Sequence, residues 1–569
     1  MDTRSRRLIR LWPAFLLTLV LIALGALTFI GLQKAETNLA GIVAPRANGP
    51  VVGQPQGGSA ALQPTAAMSR GFNEQYSSPA LIPNLAPSAN SASQADASPT
   101  GASTGQEPRT DRQPPPHLQP NPFISTKDDH LSTFALDVDT GSYTAARNYI
   151  MAGTLPPMDT IRVEEFVNYF NYDYPVPEDK AFGIHVDSAT SPFAAPGAQT
   201  QIVRVGIQGQ RISDAQRKDA VLTFVIDVSG SMAEPNRLPL VKEALRLLVN
   251  ELRPTDQVGI VVYGSDARLV LEHTSAAERD RILQAIDGLQ NEGSTNAEAG
   301  LQMGYKLASK YLKPDAINRI ILCSDGVANV GATSPEEIRK SIQNYAKQGI
   351  MLSTVGFGMG DYNDHLMEQL ADDGDGSYAY VDTVQAAKRI FVQNLTGTLQ
   401  TIAKDAKVQV DFNPNVVSRY RLLGYENRDV ADENFRNDAV DAGEIGAGHT
   451  VTVLYEVEMT GQGSGPALTV QMRYADPKSG QVQEIQQPYG AANAVQDFAA
   501  TKPRFQLAVA AAAFAEQLRT YAPPTDAGAT QVDVFAIAQR IAPQLANDQD
   551  VQEFLQIVSQ AQTLRQTRP

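Results

Sequence analysis

Val221-Leu-Thr-Phe-Val-Ile-Asp227-Val-Ser229-Gly-Ser231 decides how this chain is read. An apolar run of strand length ends in a turn that offers a carboxylate and two hydroxyls at alternate positions. Alternate residues of an extended segment point to one side, and hard divalent cations take oxygen ligands. Downstream, Gly293-Ser-Thr295-Asn places a further hydroxyl on a loop. Ile320-Ile-Leu-Cys323-Ser-Asp325-Gly then ends a second apolar strand in a second carboxylate. Taken singly, such residues are ordinary caps and turn formers. In this order, each following a strand or opening a helix, they point to one oxygen-lined site.

The surrounding periodicity supports that placement. From about residue 220 to 400, strands are expected at Leu222–Asp227, Val258–Tyr263, Ile320–Cys323, Met351–Phe357 and Tyr378–Val381. Helices fall between them: Leu238, Val241, Leu245, Leu248 and Leu252 form one apolar stripe, and Ala297, Leu301, Tyr305, Ala308 and Leu312 another. Strands separated by helices argue for a doubly wound, mostly parallel sheet covered on both faces. Ligands of such sheets bind beyond the carboxyl ends of the strands, where Asp227 and Asp325 fall.

The order D-x-S-x-S, Thr, Asp, filled by Asp227, Ser229, Ser231, Thr295 and Asp325, resembles the metal-ion-dependent adhesion site of von Willebrand factor A (VWA) domains. Phe134-Ala-Leu-Asp-Val-Asp-Thr-Gly-Ser-Tyr143, Arg162-Val-Glu-Glu-Phe-Val-Asn-Tyr-Phe170, Tyr425-Glu-Asn-Arg428 and Asp441-Ala-Gly-Glu-Ile-Gly-Ala-Gly-His-Thr450 are similar to segments of one bacterial VWA family. Its members flank the A domain with family-specific segments and have no established function. The resemblance covers about residues 131–565 and implies a Rossmann-like A domain. It also implies a divalent cation held by Ser229, Ser231 and Thr295, with Asp227 and Asp325 direct or through water. Magnesium suits a site with waters and few carboxylates, and manganese and calcium are left open. An open coordination position would take an acidic side chain from a protein partner.

Beyond Lys407 the pattern changes to alternation without helices: Val408–Phe412, Tyr420–Tyr425, Thr450–Val457 and Leu468–Tyr474 read as antiparallel strands of a β-sandwich. Segments 182–189 and 201–208 are expected to complete it, and the tail after residue 501 reads as helical. Residues 33–130 are rich in Pro, Gly, Ser, Ala, Asn and Gln, a composition expected of a disordered tether. Arg4, Arg6, Arg7 and Arg10 precede an uncharged apolar stretch, Leu11–Leu32, long enough to cross a bilayer. The expectation is a single-pass anchor of the cell membrane, with the bulk of the chain outside the cytoplasm. A secreted protein with a cleaved signal peptide is the alternative. The domain reading is then a basic flank over 1–10, the anchor over 11–32, the tether over 33–130, a family-specific segment over 131–215, the A domain over 216–403, the sandwich over 404–500 and helices over 501–569.

With 62 acidic against 47 basic residues and a net charge of −15, a nucleic-acid partner is not expected. The single cysteine, Cys323, excludes an intrachain disulfide and reads as a small buried hydrophobe. Six scattered histidines offer no zinc pattern. Asp139-Thr-Gly-Ser142 matches the aspartic protease signature, but no second copy exists to share a proton, so Thr140 or Ser142 reads as a helix cap. Asp137-Val-Asp139 lacks the fifth residue of an aspartyl-phosphate motif, and Asp372-Asp-Gly-Asp-Gly-Ser377 reads as a turn rather than a calcium loop. No nucleophile–base pair or phosphate loop accompanies the oxygen-lined site. The leading expectation is therefore a non-enzymatic, metal-dependent protein-binding module of the cell envelope. A metal-dependent hydrolase using the same cleft, or a scaffold with a structural metal, is the alternative.

Overall fold

The computed structural model describes residues 120–194, 199–326, 335–358, 364–440, 442–461, 463–520 and 532–566. Two short strands, β1 (Ile124–Ser125) and β2 (Leu131–Ala135), come first, followed by helices Gly141–Met151 and Val163–Asn168. β3 (Phe182–Thr190) and β4 (Thr200–Gly209) then pair antiparallel, from Phe182 against Gly209 to Thr190 against Gln201.

The next six strands are β5 (Ala220–Asp227), β6 (Gln257–Tyr263), β7 (Ala267–Ser275), β8 (Ile317–Ser324), β9 (Ile350–Phe357) and β10 (Tyr378–Val381). They form one sheet in the order β10-β9-β8-β5-β6-β7, parallel throughout except for β7. Every residue of β5 and β8 is buried, and Phe224–Ile226 and Ile320–Cys323 read as apolar runs within them. Period-two alternation sends Leu222, Phe224 and Ile226 to one face, against helices Leu238–Glu251 and Arg279–Asp287. Val225 goes to the other face, against helices Ala297–Lys310, Pro335–Ala346 and Asp364–Asp372. The doubly wound α/β sheet is as expected. β7 is the strand that the sequence reading did not include. Leu312 also departs from its expected stripe, because its helix ends at Lys310 and leaves it 36% exposed.

The remaining strands are β11 (Thr401–Phe412), β12 (Val417–Leu423), β13 (Gly443–Gly446), β14 (Thr450–Met459), β15 (Leu468–Ala475) and β16 (Val482–Tyr489). One antiparallel sheet runs β1-β12-β14-β4-β3 and another β13-β11-β15-β16, with β2 added to β11. Val203, Val205 and Ile207 of β4 share a core with Val408, Val410, Met472 and Tyr455 between the two sheets. Strands near 182–208 therefore complete the sandwich, and ordered structure starts earlier than residue 131, because β1 pairs with β12.

Helices Pro503–Thr520, Val534–Ile541 and Gln549–Gln566 close a further core against Gly141–Met151 and Val163–Asn168. Helix Pro503–Thr520 is buried at every residue from Phe505 to Ala515, as a central helix apolar all round must be.

The membrane expectation is corrected. Among the described residues no helix is long and apolar enough to cross a membrane. The proposed anchor, Leu11–Leu32, lies outside the described residues, as does nearly all of the 33–130 tether.

Candidate metal site

The candidate residues sit on three loops at the carboxyl end of the parallel sheet. Asp227 closes β5, and Ser229 and Ser231 follow in the turn before helix Leu238–Glu251. Asp325 follows β8, the immediate neighbour of β5. Thr295 precedes Asn296, whose side chain accepts from the Ala299 N–H and so caps helix Ala297–Lys310. Parallel pairing with helical crossovers puts all three loops at one end of the sheet.

Backbone bonds sew the loops together. The Glu292 N–H donates to Val228 O at 2.6 Å, and the Gly230 N–H donates to Gly293 O at 3.2 Å. Asn291 Nδ2 donates to Ser229 O at 3.1 Å. Gly293 has φ +73, and a Cβ there would stand 2.5 Å from Ser265 Oγ, so this crossing admits only glycine.

The oxygens converge as follows. Ser229 Oγ and Ser231 Oγ are 3.0 Å apart. Asp227 Oδ1 accepts from the Ser229 N–H at 2.9 Å, and Asp227 Oδ2 accepts from the Ser324 hydroxyl at 3.0 Å. Ser324, which the motif does not include, therefore orients this carboxylate. Asp227 is 0% exposed, Ser229 1% and Asp325 3%, while Ser231 and Thr295 are half-buried. Asp227 is thus enclosed by its neighbours and does not open to solvent. Burial raises the Asp227 carboxyl pKa, the Ser229 bonds oppose that rise, and the Asp325 charge adds to it. Tyr263, the register partner of Asp227 on β6, is fully buried, and burial with the Asp227 charge raises its phenol.

One further residue was not anticipated. Arg237 Nη1 donates to Asp325 Oδ2 at 2.7 Å and to the Ser231 carbonyl at 2.7 Å. No pattern in a single sequence marks it, because its partner lies 88 residues away. The donor set is all oxygen: two hydroxyls in mutual contact on the turn after Asp227, with Asp325 on the loop after the adjacent strand. That chemistry fits a hard dication such as magnesium.

A second charged constellation joins the A domain to its flanks. Arg428, after β12, donates to Asp137 at 3.2 Å, to Glu368 at 2.7 Å and to Asp372 at 2.9 Å, with Asp139 at 3.8 Å. Ligand atoms of Asp137, Asp139 and Glu368 lie within 4.8 Å of one another. The guanidinium already supplies a cation there, so we read this as an ionic joint. Burial, then neighbouring carboxylates, raise Asp139 and Glu165, and burial against the opposing pull of Arg428 brings Glu368 to about 7. Asp139-Thr-Gly-Ser142 belongs to the same joint. The Thr140 side chain makes no cap bond, and the Ser142 hydroxyl instead donates to Thr160 O at 2.7 Å. Asp372–Ser377 forms the expected turn between helix Asp364–Asp372 and β10. A polar cleft of about 780 Å³ opens among β10, the sandwich and the last helices, and none of the five candidate residues lines it.

Three family profiles match the chain. The von Willebrand factor type A domain covers 222–394, a von Willebrand factor profile covers 111–204, and the C-terminal region of uncharacterized protein YfbK covers 397–466 and 462–564. The Escherichia coli protein YfbK is 40% identical over 363 residues, which are 62% of this chain. The chain spans 62% of that relative's length. Inter-alpha-trypsin inhibitor heavy chain H3 of Homo sapiens is 25% identical over 264 residues, 42% of this chain and 28% of that protein. Among solved structures, the von Willebrand factor type A protein of Catenulispora acidiphila superposes with a TM-score of 0.40 at 17% identity, over 67% of this chain and 90% of that one. The chain therefore contains a region, 222–394, that matches the von Willebrand factor type A domain and folds as the six-stranded sheet with its motif loops, beside segments similar to the C-terminal region of YfbK.

Proposed function

We propose that this chain is a protein-binding module whose A domain presents a divalent cation, magnesium by preference, to an acidic side chain of a protein partner. Ser229, Ser231 and Thr295 would hold the ion by their hydroxyls, with Asp227 and Asp325 direct or through water. The observation that carries this reading is the pair of serine hydroxyls 3.0 Å apart on the turn after the buried Asp227, with the buried Asp325 following the adjacent strand. When bound, the cation supplies a Lewis-acidic position whose water a carboxylate oxygen can replace. The chain's own residues do the rest. Ser324 and the Ser229 N–H fix Asp227, while the 291–296 loop, bonded to the 228–230 turn, presents Thr295.

Calorimetric titration of magnesium into the wild type and Asp227→Ala tests the site. Heat of binding is expected in the wild type and is expected to vanish in the folded variant. Unchanged binding in Asp227→Ala refutes the assignment. Affinity capture with magnesium against a chelator then tests the partner reading, because capture that survives chelation places recognition elsewhere.

A further inference from the structure

A dication at this site would draw on both carboxylates, and Asp325 is also the partner of an arginine. Its side chain is 1% exposed and that of Arg237 14%, so the pair is largely withdrawn from solvent. The same Nη1 holds the Ser231 carbonyl, which ties the first and last motif loops through one cation. Resting on the metal reading above, we propose that Arg237 sets the cation affinity of this site, because its guanidinium and the dication are alternative partners of Asp325.

The backbone at Arg237 is pinned. Its N–H donates to Glu234 O at 3.0 Å, and its carbonyl accepts from the Val241 N–H at 2.9 Å as helix Leu238–Glu251 begins. A shift of the charge therefore falls to the side chain, whose methylenes can swing it without any change of fold. Room for them comes from Gly358, after β9, where φ is +91 and a Cβ would meet Arg237 Cγ at 2.5 Å. Charge explains the competition. Asp227 and Asp325 together balance one dication. With Arg237 retained on Asp325, the loaded site carries an excess positive charge in a buried setting, where like charges repel strongly. Departure of the guanidinium restores balance, at a cost that includes its bonds to Asp325 and Ser231. Affinity is therefore the difference between two cations on one carboxylate.

The test uses the full chain, magnesium chloride, calorimetry and thermal melting, with Arg237→Met to keep the stem and remove the charge, and Arg237→Lys to keep the charge. The Met variant is expected to bind magnesium about tenfold tighter or better, while Lys stays within roughly threefold of the wild type. Because Met leaves Asp325 without its cation, magnesium should also raise the melting temperature of that variant more than of the wild type. A folded Met variant that binds as weakly as the wild type, or a Lys variant that binds as tightly as Met, overturns the competition. If Arg237→Met does not fold, Arg237→Gln carries the same comparison. Absence of binding in the wild type and every variant overturns the metal site itself, whereas binding that appears only once the charge is removed supports both.

Discussion

Replacing Arg428 by methionine should unlock the joint between the A domain and its flanks, and the loss should depend on pH. One guanidinium faces Asp137 and Asp139 from the segment after β2 and Glu368 and Asp372 from helix Asp364–Asp372. Glu165, from helix Val163–Asn168, adds its charge to Glu368 and Asp139. Removing one partner of a buried pair costs roughly 3–5 kcal/mol, because the remaining charge has nowhere to go. Here the remainder is several carboxylates, whose escape is to take up protons. Glu368 and Glu164 already stand at about 7 against an ordinary 4.5, burial being the main cause for both. A folded-state pKa above the unfolded one means a contribution fully present below pH 4.5 and lost as pH rises through 7. A rise of that size corresponds to roughly 3 kcal/mol for each group, an upper bound where groups are coupled. The wild type should therefore lose stability between about pH 5 and pH 8. Arg428→Met, by removing the charge that pulls Glu368 down, should lose most at the alkaline end of that range. Urea unfolding followed by circular dichroism at both pH values measures this, since the only tryptophan, Trp12, lies outside the described residues. An equal loss at both pH values, or a loss under about 1 kcal/mol, refutes the ionic reading of the joint.

Thr295→Ala should weaken partner capture while leaving more magnesium affinity than Asp227→Ala does, since it removes one neutral oxygen and no charge. Parallel calorimetry and capture would show the split, and equal loss of both would remove the distinction. Cys323 is 0% exposed on β8, and burial alone pushes its thiol pKa up, so it should resist alkylation in the native chain and react once denaturant is added. Rapid native labelling would contradict its place in the sheet. Leu245→Ala removes a side chain 1% exposed in the core beneath β5 and should cost about 2–5 kcal/mol in urea unfolding. A loss under about 1 kcal/mol would mean that the helix packs differently.

Legibility followed burial. β5 and β8 are enclosed on both faces, so their apolar runs announce themselves, and the loops after them carried the motif in plain order. β15 alternates buried and half-buried residues along its whole length, and the sandwich was readable from such strands. β16, Val482-Gln-Glu-Ile-Gln-Gln-Pro-Tyr489, is exposed almost throughout at a sheet edge and shows no apolar period. β7 is likewise an edge strand, with exposed Arg268 and Leu269 and half-buried Glu272 mixed along it, and it lacks an apolar period for the same reason. Edges follow no strong pattern because water satisfies one side of them.

The ionic pairs were illegible for a different reason. Arg428 meets Asp137 across 291 residues and Arg237 meets Asp325 across 88, and no local rule links such positions. One signal was nevertheless present. Glu164 and Glu165 are adjacent in a short helix whose neighbours, Val163, Phe166 and Val167, are all apolar. The structure buries both carboxylates, so both have to be partnered. Both are: Glu164 accepts from the Tyr425 N–H at 2.9 Å, and Glu165 from the Ser142 N–H at 2.7 Å. Their bonds run to the two segments that also carry Arg428 and Asp139. Charged residues inside an apolar run were thus the readable trace of the joint, and the aspartates of Asp137-Val-Asp139 follow the same logic after the apolar strand β2. Arg237 left no such trace, because an arginine before a helix is ordinarily solvated, and only the fold brings Asp325 beneath it.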